Sequence, residues 1–259
     1  MKKLHFIKEG TGPVIVLSHA LGCDLSMWDG VVPLLKDQFT VIRYDHRNHG
    51  ASDTALTSFT IDDMADDVSA LIKEIAAEPV HFVGLSLGGM VGQSLAARYP
   101  DLVRSLVIAN SASYYDDEAK KAWLSRIAMV KGSVLSSISK MVLERWFTPG
   151  FLNSPHPADI HALEKIKATL EACKVPAYIE SCNAVLNVDT RVLNRQISIP
   201  SLILFGTEDV ATPKHMSELI SRDIRNSKME SIEAAHLSAV ESPQVFVNTL
   251  LNFLNSPHN

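Results

Sequence analysis

One stretch of this chain, residues 80–99, constrains its fold more than any other. It begins with a short apolar run after Pro79 and then turns at Ser86, which has Gly84 and Gly88 two residues away on either side. Small and apolar residues at helical spacing follow. This order predicts a strand, a tight turn and a helix. The spacing Gly-x-Ser-x-Gly matches a nucleophile elbow, in which a strained serine exposes its hydroxyl above the edge of a sheet.

The same glycines have two other interpretations. They could mark a close-packed turn between a strand and a helix, or a phosphate-binding loop, with Ser86 as an ordinary helix cap. No lysine follows the glycines, and their spacing matches neither the dinucleotide-binding pattern nor the Walker pattern. The sequence therefore favours a nucleophilic Ser86, given a suitable base and acid elsewhere in the chain.

Length and composition fit one globular domain with room for an inserted lid. The 259 residues are 46% hydrophobic and 20% charged, and the net charge of -5 leaves no basic face for nucleic acid. No apolar run reaches the ~18 residues of a membrane span, and residues 1–9 lack the apolar stretch of a signal peptide. The three cysteines contain no C-x-x-C pair. We therefore expect a cytoplasmic enzyme that acts on a small molecule, without a nucleic-acid or membrane partner.

Short apolar runs alternate with helical patterns along much of the chain. Strands are predicted over residues 4–9, 14–18, 39–44, 80–85, 102–109, 200–206 and 229–232. Such alternation is typical of an α/β protein with a mostly parallel, doubly wound sheet.

The pattern changes between residues 116 and 194, where apolar residues recur only at helical spacing. Because strand spacing resumes afterwards, we interpret residues 116–194 as a helical lid inserted into a core formed by residues 1–115 and 195–259.

Two backbone N–H groups are expected beside the nucleophile. The loop of residues 19–22 follows the second strand, and a loop at this place supplies one donor of an oxyanion hole in chains with such an elbow. The residue after the nucleophile supplies the other. The expected donors are Leu21 and Leu87, and Gly22 permits the turn of the loop.

An acid is expected where the sixth strand ends. Glu208 and Asp209 both follow this strand, and the carboxyl ends of parallel strands face one crevice. Asp209 heads the loop and fits the order Ser, Asp/Glu, His along the chain. The alternative is that both acids are ordinary surface charges.

A base is expected after the last strand, because a serine hydroxyl alone is a poor nucleophile near neutral pH. His236 is the one histidine after the acid that lies in a loop directly beyond a strand, since His215 falls on a predicted helix and His258 on the terminal tail. His46 and His49 are three residues apart, but no third ligand stands nearby. We therefore expect these two to form structural hydrogen bonds, and we expect no metal site.

The chain resembles the α/β-hydrolase superfamily over nearly its whole length, and within it is similar to the 3-oxoadipate enol-lactonases. The stretches that carry the closer resemblance are residues 21–29, 84–89, 144–151 and 234–238. The resemblance implies an α/β-hydrolase fold with Ser86 as nucleophile, Asp209 as acid and His236 as base. It also implies hydrolysis of a lactone or ester without a metal or organic cofactor.

Two departures from the family pattern concern loops. The family more often has Asn-Ser-Leu-Gly where residues 19–22 read His-Ala-Leu-Gly, and Asp-x-Arg-Gly-His-Gly where residues 45–50 read Asp-His-Arg-Asn-His-Gly. The first departure borders the expected oxyanion hole and bears on substrate placement. The second bears on a turn, where Asn48 tolerates a positive φ.

An enol-lactone of this family carries a free carboxylate, so the pocket should offer a cation or several N–H donors. Four cations fall in the lid: Arg126, Lys131, Lys140 and Arg145. Arg145 beside Trp146 is the first choice, and Trp123 is a further candidate for the pocket wall. The alternatives are solvated helix faces for the cations and packing between lid and core for the tryptophans.

Three functions remain open at this point. The leading one is opening of the ring of 3-oxoadipate enol-lactone to give 3-oxoadipate, in the β-ketoadipate pathway of aromatic-compound breakdown. A broader carboxylesterase or a hydrolase of carbon–carbon bonds would use the same three residues. A small-ligand receptor that keeps the fold without turnover is the third, although all three residue types and both oxyanion positions are present.

Overall fold

The chain folds around a seven-stranded sheet in a computed structural model, which describes residues 2–256. The order across the sheet is β1-β3-β2-β4-β5-β6-β7, and every neighbouring pair is parallel except β1 with β3. The strands are β1 (Phe6–Glu9), β2 (Val14–Ser18), β3 (Thr40–Tyr44), β4 (Val80–Leu85), β5 (Val103–Ala109), β6 (Ser201–Gly206) and β7 (Ser227–Ile232). The predicted α/β class and mostly parallel sheet are confirmed.

Twelve α-helices lie in the described part of the chain. They are α1 (Val32–Leu35), α2 (Ile61–Ile75), α3 (Leu87–Arg98), α4 (Asp117–Val130), α5 (Ser136–Trp146), α6 (Pro149–Leu152), α7 (Pro157–Ala172), α8 (Val175–Leu186), α9 (Arg191–Asn194), α10 (Lys214–Asp223), α11 (Ser238–Glu241) and α12 (Pro243–Leu254). None of these helices combines the length and the apolar character that crossing a bilayer requires.

The central strands are almost fully buried, which explains their continuous apolar sequences. Every residue of β6 is buried, and β5 has a single exposed residue, Arg104. A parallel strand covered on both faces has no polar face to present to water. The apolar runs in the sequence therefore located these strands to within a residue or two.

The first strand is shorter than predicted, and it is the antiparallel member of the sheet. The expected strand began at residue 4, but the ladder starts where Phe6 pairs with Tyr44. The N–H of His5 donates to the Ser52 hydroxyl at 2.8 Å instead of joining a strand ladder. This edge strand is antiparallel to β3 because the short turn over residues 10–13 reverses the chain between β1 and β2, and β2 is parallel to β3.

Helix α3 lies very close to the sheet because its inner face is made of small residues. A Cβ placed on Gly92 would stand 2.9 Å from the Phe82 ring and 3.0 Å from the Leu106 side chain. Helix α2 packs beside α3 and begins with a capping box, in which Thr60 and Asp63 each accept the other's backbone N–H. These two helices support the turn that carries Ser86.

Six helices, α4–α9, form an insertion between β5 and β6. An antiparallel bridge between Tyr114 and Asp189 joins the beginning of this insertion to its end. The carbonyl of Trp146, at the end of α5, accepts the N–H of Leu237 at 3.0 Å. The insertion is thus attached to the loop that follows the last strand.

Candidate active site

Ser86 stands at the turn between β4 and α3 with φ 55° and ψ -114°. Its N–H donates to the carbonyl of Ala109 at 2.9 Å, which ties the turn to the neighbouring strand. A Cβ on Gly84 would lie 2.1 Å from the Gly88 carbonyl, and one on Gly88 would lie 2.1 Å from the Ser18 carbonyl. The flanking glycines are therefore required by close backbone approach, as in a nucleophile elbow.

Ser86, His236 and Asp209 form a continuous chain of hydrogen bonds. Ser86 Oγ is 3.0 Å from His236 Nε2, and His236 Nδ1 is 2.9 Å from Asp209 Oδ2. His236 is 3% exposed and Asp209 6%. The three residues follow β4, β6 and β7, so the carboxyl ends of parallel strands bring together groups up to 150 positions apart.

The Asp209 carboxylate accepts five hydrogen bonds. Its Oδ1 accepts the backbone N–H groups of Ala211 and Thr212 at 2.8 and 2.9 Å. Its Oδ2 accepts the Thr212 hydroxyl at 2.6 Å and the Asn110 amide at 3.0 Å, besides the His236 ring. Burial alone would raise the pKa of this carboxyl, but His236 and the hydrogen bonds from Thr212 lower it to about 2. Asp209 is therefore ionised at neutral pH.

The other sequence candidates for acid and base lie away from this chain of contacts. Glu208 is exposed, and His215 lies on α10, where its side chain borders the cavity. His258 lies outside the described residues. The structure thus brings Asp209 and His236 to Ser86, as the order along the chain predicted.

Sequence reasoning missed three supporting residues. Thr212 and Asn110 both bond Asp209, and the Ser111 hydroxyl donates to the Ser86 carbonyl at 2.7 Å. Asn110 and Ser111 follow β5 directly, so the edge position that identified Asp209 could have identified them also.

Of the two expected oxyanion donors, Leu87 adjoins Ser86 in the chain and Leu21 comes from the separate loop after β2. Leu87 is the first residue of α3, where a helix leaves its N–H groups free, and Leu21 lines the same cavity as Ser86. Within residues 2–256, neither the Leu21 nor the Leu87 N–H has a hydrogen-bond acceptor. Gly22 has φ 76°, and a Cβ there would lie 2.8 Å from Leu170 of α7. The glycine thus permits both the turn and the contact with the insertion.

A cavity of about 550 Å³ opens over Ser86 and His236. Helices α4 and α5 supply much of its wall, including Trp123, Arg145 and Trp146, the three residues predicted to lie at a substrate pocket. Trp146 is buried and Trp123 half-buried.

Two arginines of the insertion reach this cavity in different ways. Arg145 donates to the carbonyl of Val210 at 3.2 Å, in the loop of Asp209. Arg126 lies 5.2 Å over the ring of Trp123 and donates to the hydroxyl of Tyr178. Among the described residues, Arg126 has no carboxylate within salt-bridge distance, and its buried Nε has no hydrogen-bond partner. The guanidinium of Arg126 therefore lies beside the cavity without a carboxylate partner and with its hydrogen bonds incomplete.

The histidines at 46 and 49 are held by hydrogen bonds, as the sequence favoured. His46 Nε2 contacts the Ser18 hydroxyl at 3.0 Å, and His49 Nε2 accepts the N–H of Gly22 at 3.2 Å. No group of three or more His, Cys, Asp or Glu side chains in the described part of the chain is placed to hold a metal ion. Asn48 has φ 68°, which the turn between them requires.

Fold and site together define a class of protein. The model of the α/β-hydrolase fold family matches residues 13–134. The chain belongs to the α/β-hydrolase family and is a hydrolase.

Several named proteins are similar to this chain in sequence or in structure. The chain is 34% identical to 3-oxoadipate enol-lactonase 2 of Acinetobacter baylyi, over 90% of this chain and 85% of the relative. The enol-lactonase from Burkholderia xenovorans LB400 has a TM-score of 0.92 at 29% identity, covering 98% of this chain and 97% of its own. A hydrolase from Pseudomonas aeruginosa PA01 has a TM-score of 0.91 at 34% identity, covering 98% and 95%.

Proposed function

We propose that this chain opens the lactone ring of 3-oxoadipate enol-lactone to give 3-oxoadipate. One observation carries the proposal: the serine–histidine pair at 3.0 Å shares a cavity with the incompletely bonded guanidinium of Arg126. A small molecule that holds both an ester carbonyl and a carboxylate complements these two features. The similarity to enol-lactonases supports this substrate among such molecules.

Ring opening begins at the lactone carbonyl. The Ser86 oxygen attacks this carbon, and His236 Nε2 takes the hydroxyl proton. Asp209 accepts the Nδ1–H of His236, which holds the ring in the required tautomer and stabilises the imidazolium. The negative charge on the carbonyl oxygen is stabilised by the N–H groups of Leu21 and Leu87.

The tetrahedral adduct then loses the ring oxygen. The C–O bond of the lactone breaks, the enol oxygen receives the proton from His236, and the opened chain stays esterified to Ser86. The enol group of this bound chain becomes a ketone when the proton moves from oxygen to carbon. Water, deprotonated by His236, next attacks the acyl group and releases the new carboxylate with Ser86 restored. No cofactor enters these steps.

The helical insertion acts as a lid over this site in our proposal. Helices α4 and α5 supply side chains to the cavity wall, and the core supplies Ser86 and His236. Residues 116–194 would then select the substrate, whereas residues 1–115 and 195–259 would carry the reacting groups. We also propose that the enzyme acts in the cytoplasm within the β-ketoadipate pathway, a compartment consistent with its three free thiols.

A broader carboxylesterase is the second candidate. Its support is the apolar border of the cavity, where Met129 is 47% exposed, Met141 39% and Val210 58%. Such a border would accept acyl or alkyl groups of several lengths.

The assay that tests the proposal compares 3-oxoadipate enol-lactone with 4-nitrophenyl acetate. We expect kcat/KM for the lactone to exceed that for the ester by at least about 100-fold, because only the lactone offers a carboxylate to the cavity. Ester hydrolysis without lactone hydrolysis would replace the proposal by the esterase candidate. Ligand-induced thermal stabilisation with no turnover of either compound would indicate a receptor.

Replacement of Arg126 by glutamine tests the carboxylate contact. We expect KM for the lactone to rise about 10- to 100-fold, because a hydrogen bond to a charged group contributes about 1.5–3 kcal/mol. Values of kcat/KM for 4-nitrophenyl acetate should stay within about twofold. Steady-state kinetics on both substrates measures the difference.

Arg145→Gln is the matched control, because Arg145 lines the same cavity and already donates to a carbonyl. We expect a change of less than about threefold in KM for the lactone. A large rise in KM for Arg145→Gln with none for Arg126→Gln would assign the contact to Arg145, the first choice from the sequence.

A further inference from the structure

The peptide that carries the Leu21 N–H is held on its opposite side by the ring of His19. His19 Nδ1 lies 2.7 Å from the carbonyl oxygen of Ala20, which also accepts the N–H of Cys23 at 3.2 Å. The Ala20 carbonyl and the Leu21 N–H belong to one planar trans peptide, so they point in opposite directions. Holding the Ala20 oxygen therefore sets the direction of the Leu21 N–H.

The contacts of His19 define its protonation. A carbonyl oxygen only accepts, so His19 Nδ1 carries the hydrogen, and Nε2 accepts the backbone N–H of His46 at 3.0 Å. The ring is fully buried at 0% exposure. Burial lowers the pKa of His19, against the opposing influence of Asp45 and Asp24, and this favours the neutral ring that the two contacts need.

The peptide on the other side of Leu21 is held by a second histidine. The N–H of Gly22 donates to His49 Nε2 at 3.2 Å, and His49 Nδ1 donates to the carbonyl of Arg47 at 3.0 Å. Burial lowers the pKa of His49 to about 3, so this ring is also neutral near pH 7. Both peptides that flank the Leu21 Cα are thus bonded to buried imidazoles.

The two rings support each other through His46. The centroids of His19 and His49 are 5.1 Å apart, and those of His19 and His46 are 4.6 Å apart, both in edge-on contact. His46 in turn contacts the Ser18 hydroxyl, whose residue packs against Gly88 of α3. The cluster of three histidines therefore links the loop of Leu21 to the helix that begins after the nucleophile.

We propose that His19 is a positioning residue that aims the Leu21 N–H at the carbonyl oxygen of a bound ester. Its Nδ1–H withdraws electron density from the Ala20 carbonyl, which also makes the N–H of the same peptide a stronger donor. His49 holds the following peptide so that the loop does not rotate about Leu21. The proposal rests on the proposed function only in taking Ser86 as the nucleophile, and it does not depend on the lactone.

His19→Phe and His19→Gln test this role. Phenylalanine keeps an aromatic ring but neither donates nor accepts, whereas glutamine offers an N–H for the Ala20 carbonyl and an oxygen for the His46 N–H. We expect His19→Phe to lower kcat for 4-nitrophenyl acetate about 30- to 100-fold with KM within twofold, because losing an oxyanion donor costs about 10²- to 10³-fold and a misdirected one somewhat less. We expect His19→Gln to keep kcat within about fivefold of the unmodified chain.

His81→Phe is the control for replacing a histidine by phenylalanine at a site outside the cluster of His19, His46 and His49. His81 lies on β4 and contacts the Ser105 hydroxyl at 2.8 Å, away from the cavity-lining residues. Its kcat should be unchanged within about twofold. Circular dichroism and melting temperature show whether each variant is folded.

A second measurement separates this inference from the choice of substrate. A fluorophosphonate reacts with an activated serine and places charge on an oxygen in the same hole, and intact mass follows the labelling rate of Ser86. We expect the same 30- to 100-fold loss for His19→Phe in a protein that melts like the control, and recovery for His19→Gln.

Each outcome decides a separate claim. Rapid labelling of a chain that ignores the lactone would reject the proposed function and leave the role of His19 standing. Unchanged kcat and labelling in folded His19→Phe, or a rise in KM alone, would reject the role of His19. An equal loss in His19→Phe and His19→Gln would do the same, and a native chain that is never labelled would reject both claims.

Discussion

Replacing Ser86 with alanine is expected to lower kcat by about 10⁴- to 10⁶-fold while KM and the melting temperature change little. The hydroxyl oxygen is the only non-hydrogen atom that the change removes, and this oxygen forms the bond to the substrate carbonyl in the proposed mechanism. His236 would lose its contact at Nε2 but keep the one to Asp209. Progress curves with the lactone and with 4-nitrophenyl acetate, at high enzyme concentration, measure the residual rate.

The control for Ser86→Ala is Ser113→Ala. Ser113 is buried close in sequence to Ser111, and its hydroxyl has no hydrogen-bond partner among residues 2–256. Its removal should leave kcat within about twofold. Adding His236→Ala to Ser86→Ala should cost little more than either change alone, because the two residues act in one step. Residual activity above about 1% in folded Ser86→Ala would mean that another group is the nucleophile.

Asp209→Asn is expected to lower kcat by about 10³- to 10⁴-fold through the tautomer of His236. Oδ1 of Asp209 accepts two backbone N–H groups, from Ala211 and Thr212, so the oxygen of an asparagine must occupy that position. The NH₂ group then faces His236 Nδ1 and donates to it. The hydrogen of the His236 ring then lies on Nε2. Nε2 can therefore no longer accept the proton of Ser86.

The same variant has a distinct dependence of stability on pH. The pKa of Asp209 is about 2 in the folded chain and near its ordinary value of 3.8 when unfolded. A carboxyl with a lowered pKa stabilises the fold above its unfolded pKa, and this contribution is lost as the pH falls through the folded value. The contribution should therefore be complete above about pH 4 and absent below about pH 2. Urea unfolding of the native chain and of Asp209→Asn at pH 7, 4 and 2.5 measures it.

Glu208→Gln is the control for Asp209→Asn because it removes the adjacent, exposed acid. Its kcat and its unfolding curve at each pH should match those of the native chain. If Asp209→Asn kept more than about a tenth of the native kcat, the interpretation of Asp209 as the partner of His236 would be wrong. A large loss in Glu208→Gln would instead point to the alternative acid.

The parts of the site that sequence reasoning predicted depend on local pattern or on topology. Glycine is required at positions 84 and 88 because a Cβ at either position would lie 2.1 Å from a backbone oxygen. Both glycines are close to Ser86 in the sequence, so a local motif identifies the turn. Asp209 and His236 lie far along the chain, but each follows a recognisable strand. Parallel topology then brings strand ends to one edge without any knowledge of packing.

The choice between Arg126 and Arg145 could not be predicted in the same way. Both lie on amphipathic helices beside a tryptophan or near one, and the sequence ranked Arg145 first for its neighbour Trp146. The direction of each guanidinium depends on what its helix packs against. Arg126 faces Tyr178 of α8, whereas Arg145 reaches the carbonyl of Val210 in the core.

The hydrogen bonds of His19, His46 and His49 also could not be predicted from the sequence. For His46 and His49 the lack of a third metal ligand nearby favoured structural hydrogen bonds, but the sequence could not show which groups these rings or that of His19 would bond. That depends on two loops, after β2 and after β3, meeting across parallel strands. The contact of His19 with the Ala20 carbonyl follows from this meeting, because the His46 N–H leaves only Nδ1 free to donate.

The sequence by itself determined the class of fold, the strained serine turn and the order along the chain of the three hydrogen-bonded residues Ser86, Asp209 and His236. These features depend on short-range periodicity and on the requirement that parallel strands end at one edge. Only the tertiary structure decided the direction of the first strand, the two arginines' partners and the bonds of the buried histidines. The first depends on which strand the backbone pairs with, and the others depend on groups from separate segments meeting at distances of about 3 Å. A linear pattern specifies neighbours along the chain without specifying such meetings.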